Sequence, residues 1–195
     1  MRIVEVGPHY TPIYEYSPVI RDRIRTGSSY IGTCPSNKWI DYTIEKIKGV
    51  GGEFIEGMIQ KLPLESDSAD EIWVMDVFGS WYFKYDVKKT QDGFVCSREE
   101  DFHKAFHELA RVLKPRGKII IGELLTPHVQ ILDEDFSHYG LTVEEFFQGN
   151  QTVELGTRYG IDPDSITEFD FFHFGLSDTQ SKANRERFFL VLTKT

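Results

Sequence analysis

The chain has 195 residues, enough for one ordinary domain with a substantial core. At 40% hydrophobic and 27% charged residues it has a globular composition, which excludes a disordered chain. Its 22 basic and 31 acidic residues give a net charge of -9 with no Lys/Arg stripe, so a nucleic-acid partner is disfavoured.

Cys34 and Cys96 are the only cysteines, too few for a disulfide framework or a Cys-rich zinc motif. The longest apolar runs, such as "KIIIGELL", are too short to cross a bilayer. Met1-Arg2 leads directly into a strand pattern with no charged leader and apolar segment, so a cytoplasmic location without a membrane partner is expected.

In chain order, "RIVEV" reads as a strand ended by Gly7-Pro8. Thr11-Pro12 and Ser17-Pro18 each read as an N-cap followed by Pro at the first helical position, so a helix starts at one of them and runs to Gly27. "SSYIGTCPS" is a second strand and turn. Trp39-Ile40, Ile44 and Ile47 then repeat at helical spacing before Gly49. "GGEFIEG" is a third strand, and a loop leads to a fourth at Glu71–Met75. Ser97 and Glu100 make a capping-box pattern ahead of a helix whose Phe102, Phe106, Leu109 and Leu113 line one face. Pro115 and Gly117 end it, and "KIIIGELL" follows as a continuous apolar strand suited to the centre of a parallel sheet. "TVEEFFQG" reads as a helix, and "TEFDFFHFG" and "ERFFLVLTKT" as two closing strands. The alternation predicts a doubly wound α/β fold with a mostly parallel sheet and an antiparallel C-terminal strand pair. A single domain over 1–195 is expected, with 126–185 as a variable, substrate-side region.

The order of these motifs resembles the class I S-adenosylmethionine-dependent methyltransferases, over nearly the whole chain. "VEVGP" resembles their first motif, and "YIGTCPS" their second strand of the type Y-x-G-x-D-P-S. "FIEGMIQKLPLESDSADEIWV" resembles the segment G-D-A-x-x-L-P-F-x-x-x-S-F-D-x-V. The most specific match is "AFHELARVLKPRGKIIIGE", similar to the run x-E-x-x-R-V-L-K-P-G-G-x-L-x-I-x-E. The resemblance implies a Rossmann-like fold, S-adenosylmethionine as cofactor and a small-molecule acceptor. It implies that Glu5, Gly7, Pro8, His9, Cys34, Met58, Ile59 and Asp76 line the cofactor site. The physical reading agrees, because a strand, tight turn and helix start leave unpaired N–H groups at the carboxyl edge of such a sheet.

Three anchors depart from the family pattern. His9 and Thr11 stand where glycine is common, Cys34 takes the place of the ribose-binding acid, and Met58 that of an adenine-binding Asp. A thiol cannot reproduce a carboxylate's bidentate grip on two hydroxyls, whereas Met can cover the adenine face. Family members also carry helices upstream of the first strand that close over the cofactor. Here part of that cover is expected from 126–185, from a partner subunit in a homo-oligomer, or to be missing. These departures keep a second reading open, a catalytically inactive methyltransferase-like binding module.

Asp76, Glu123 and His128 are the candidate catalytic groups, since all three fall at the carboxyl edge if the topology holds. For Asp76 a turn cap is an equally good reading. Trp81, Tyr82 and Phe83 form an aromatic patch read first as a core edge and second as a substrate wall. Glu99, His103 and His107 have zinc-compatible helical spacing, but they flank an apolar stripe and read as a solvated face; no metal is expected.

Overall fold

The computed structural model describes residues 1–8, 12–35, 40–75, 77–78, 87–90, 93–96, 98–124, 134–148 and 187–195. Its centre is a seven-stranded sheet in the order β3-β2-β1-β4-β7-β9-β8. The strands are β1 (Arg2–Val6), β2 (Ser29–Cys34), β3 (Glu53–Glu56), β4 (Ala69–Met75), β7 (Leu113–Leu124), β8 (Leu141–Gln148) and β9 (Arg187–Lys194). The first five are parallel, and β9 runs antiparallel between β7 and β8. A separate hairpin pairs β5 (Val87–Thr90) with β6 (Gly93–Cys96), which the sequence pattern did not announce.

Both faces of the sheet are covered. On one, Val4, Ile72, Val74, Ile119 and Ile121 pack with Phe102, Phe106 and Leu109 of α4 (Arg98–Val112). On the other, Ile3, Trp73, Ile120 and Val191 meet Ile13 of α1 (Ile13–Tyr16), Ile20 of α2 (Pro18–Arg25) and Ile47 of α3 (Ile40–Gly49). The unbroken apolar run of β7 follows from this two-sided burial. A helix begins at each Pro mark, so one expected helix is two; at the first, Pro12 is itself the N-cap and no side chain caps it. Ser17 ends α1 and caps α2 by accepting the Ile20 N–H at 3.1 Å.

One element differs in kind. "TVEEFFQG", expected as a helix, lies in the edge strand β8, and this segment is the antiparallel partner of β9. Leu141 and Phe147 are buried, while Glu144 is a bulge residue between Val143 and Glu145. The bulge interrupts the two-residue alternation that marks a strand. Pairing with β9 then overrides the helix preference of the Glu pair, aided by Thr142, Val143 and two Phe. Glu144 faces outward to Lys118 Nζ at 2.8 Å and the Thr193 hydroxyl at 2.6 Å. The other expected strand, within 167–175, lies outside the described residues.

Candidate functional site

The chain order reverses between β1 and β4, which places a crevice at the carboxyl ends of these strands. Gly7 turns the chain there with φ +76°, a conformation that strains any residue with a Cβ. Space also requires glycine, because a Cβ would fall 2.5 Å from Val77 Cγ2 in the segment after β4. The Gly7 N–H donates to the Thr33 carbonyl at 2.8 Å. This amide is therefore bonded, not an open donor as the strand-turn-helix pattern suggested. Pro8 is buried beside it, and His9, Tyr10 and Thr11 lie outside the described residues.

Glu5 points into the fold. It is 2% exposed and accepts the Ile13 N–H with both carboxylate oxygens at 3.0 Å, satisfying the start of α1. The Tyr30 hydroxyl donates to the same carboxylate, and Tyr14 sits edge-on to Tyr30 with centroids 5.6 Å apart. Burial raises the Glu5 pKa to about 7 against the opposing pull of these hydrogen bonds. Tyr30 is a site residue that sequence reading missed. Its signal was positional, since it lies two residues before Gly32, the register partner of Glu5.

Cys34 ends β2 and is 4% exposed. Burial, with the Glu5 charge second, pushes its thiol up to about 11, so it is a neutral and poor acceptor. Beside it the Thr33 hydroxyl is buried with no hydrogen-bond partner among the described residues. Beyond β3, Met58 is 48% exposed and Ile59 is buried. Glu56, the last residue of β3, is exposed and in register with Cys34.

On the other side of the crevice, Glu123 is 1% exposed near the end of β7. Its Oε1 accepts the Phe78 N–H at 2.6 Å. Phe78 stacks on Phe102 and Phe106 of α4, each with centroids 5.2 Å apart. Phe78 is thereby fixed by one buried carboxylate and two aromatic rings. Asp76 and His128, like Trp81, Tyr82 and Phe83, lie outside the described residues.

His103 and His107 do not meet as a metal pair. The His103 ring hydrogen-bonds the Tyr139 hydroxyl, which donates to Glu134 at 2.7 Å, and His107 sits edge-on to the Tyr139 ring at 4.9 Å. Among the described residues no group of three His, Cys, Asp or Glu could hold a metal ion. No helix among them is long and apolar enough to cross a membrane.

A family model described as a methyltransferase domain matches residues 16–121. Among solved structures, a SAM-dependent methyltransferase from Aquifex aeolicus superposes with a TM-score of 0.59 at 13% identity, covering 100% of this chain and 82% of that one. The cyclase SpnF gives 0.60 at 15%, covering 99% and 75%. Phosphoethanolamine N-methyltransferase 2 from Haemonchus contortus, in complex with phosphomonomethylethanolamine and S-adenosylhomocysteine, gives 0.57 at 16%, covering 100% and 48%. At these identities the likeness is one of fold. No curated protein matches the sequence.

Proposed function

Because this chain belongs to the methyltransferase-domain family, we propose that it binds S-adenosylmethionine at the carboxyl edge of β1–β4 and methylates a small-molecule acceptor. The observation that carries this reading is the Gly7 turn. It stands at the switch point of strand order, within a chain whose residues 16–121 match the family model.

The residues present fit most of such a ligand. Glycine at position 7 lets the turn after β1 pack against Val77 at the strand ends, where the ligand is proposed to cross. The half-exposed Met58, next in sequence to the buried Ile59, offers an apolar cover for the adenine. The ribose end fits less well, since the neutral, buried thiol of Cys34 cannot grip a diol. When bound, the cofactor supplies an electrophilic methyl group on a positively charged sulfonium. The chain's own task is then to align the acceptor and exclude water. Asp76 and His128 are the groups assigned to orient the acceptor or take its proton. Glu123 acts through the backbone it holds, because its carboxylate is engaged by the Phe78 N–H. Within residues 126–185, Leu141–Gln148 belongs to the sheet as β8, and the remainder is assigned to the substrate side.

A small acceptor suits both the net charge of -9, which opposes a polyanion, and the phosphoethanolamine-type acceptor of the Haemonchus enzyme. Methyl transfer from labelled S-adenosylmethionine to a panel of small amines and alcohols tests the reading. Turnover on any of them, lost in D76N or H128A, supports it. A second reading, a module that binds without transferring, is favoured by the thiol at Cys34. It predicts saturable cofactor binding with no labelled product from any acceptor.

A further inference from the structure

The weak point of the edge described above is the ribose. An adenosyl ligand presents two adjacent hydroxyls that need a strong acceptor, and a carboxylate gives the charge-assisted bonds that hold them. Cys34 stands where that acid is expected, buried and neutral.

Three described carboxylates stand on the parallel strands at or next to their carboxyl ends. Glu5 is buried and holds the Ile13 N–H and the Tyr30 hydroxyl. Glu123 is buried and holds the Phe78 N–H. Glu56 alone of the three is exposed, and its side chain has no hydrogen bond or ion pair among the described residues.

Position favours Glu56 as well. β2 and β3 are parallel, and the Cys34 and Glu56 Cα atoms are register partners, so their side chains leave the same face of the sheet. Adjacent strands lie about 4.8 Å apart, a gap the longer Glu side chain can lean across. The strand ends stay coupled past the ladder, because the Gly57 N–H donates to the Cys34 carbonyl at 3.1 Å. Gly57 itself has no room for a side chain, since a Cβ there would lie 3.0 Å from Thr33 Oγ1 and still closer to Pro63. Of the strand-end carboxylates, Glu56 is therefore the one that can supply a free negative charge.

Resting on the function proposed above, we propose that Glu56 is the carboxylate that holds the ribose hydroxyls of the adenosyl ligand, in place of the buried thiol of Cys34. The acid has moved one strand outward, from the end of β2 to the end of β3.

Calorimetric titration of the wild type and E56Q with two ligands tests this. One is S-adenosylhomocysteine; the other is its analogue lacking both ribose hydroxyls. E56Q weakens S-adenosylhomocysteine binding about tenfold, the loss of one charge-assisted hydrogen bond. The analogue binds wild type and E56Q equally, because it has no diol to lose. Wild-type affinity for S-adenosylhomocysteine in E56Q, or an equal loss with both ligands, overturns the assignment. If the wild type binds neither ligand, the cofactor reading itself fails and the assignment falls with it. An unchanged melting temperature of E56Q shows that the exposed position is not structural.

Discussion

The inner and outer halves of the carboxyl edge are built on different physical terms. On the inner half, β1, β4 and β7 end in groups that are already committed. Glu5 holds α1, Glu123 holds Phe78, and the Gly7 amide holds Thr33. On the outer half, β2 and β3 end in a neutral thiol, an exposed carboxylate and a half-exposed thioether. Buried polar groups on the inner half cost stability if a partner is removed, because the orphaned group remains dehydrated. Exposed groups on the outer half can change at little cost to folding. A binding edge can thus vary its ligand contacts at β2 and β3 while β1, β4 and β7 keep its shape.

Substitutions on either side sharpen that contrast. The largest effect is expected from F106A. Phe106 is fully buried between Phe78, Phe136 and Tyr139. Its truncation costs about 4 kcal/mol, which thermal unfolding followed by circular dichroism reads as a fall of about 10 °C.

Next comes the pH dependence of Glu5. In the fold it keeps its proton up to about pH 7, whereas its ordinary pKa is 4.5. Between those values the folded chain binds more protons than the unfolded one, so stability falls as pH rises. The contribution is present in full below the ordinary pKa and amounts to about 3 kcal/mol across the window. Denaturant titrations of E5Q should lack this component; an unchanged slope against the wild type would place the titrating group elsewhere.

E123A comes third. It removes the carboxylate that accepts the Phe78 N–H and is expected to cost about 2 kcal/mol in urea unfolding.

The smallest stability change is expected at Met58. M58A should shift unfolding by less than about 0.5 kcal/mol while weakening S-adenosylhomocysteine roughly threefold through lost adenine cover. If M58A unfolds as readily as E123A, the division between a rigid inner and an adaptable outer half is wrong.

The parallel core was legible because its signals are local. Ser17-Pro18 carries its own cap, and the stretch Ile119–Ile121 of β7 is apolar because both faces are buried. β8 was illegible because a bulge at Glu144 breaks the alternation and its pairing partners lie 40 to 53 residues away in sequence. Gly7 could be read from its place after a strand, but the bond of its amide to Thr33 could not, since it crosses from β1 to β2. The inward turn of Glu5 depended on Tyr30 and on the start of α1, two elements whose meeting only the fold determines. Glu56 escaped notice because an exposed acid carries no periodic signal; its relation to Cys34 appears only once the β2–β3 register is known.

The most direct test of the account is isothermal titration of the intact chain with S-adenosylhomocysteine at neutral pH. The account requires saturable one-to-one binding that S-adenosylmethionine competes away and that G7V abolishes, since a side chain at Gly7 meets Val77. No heat of binding up to millimolar ligand, with the protein folded by circular dichroism, would contradict it.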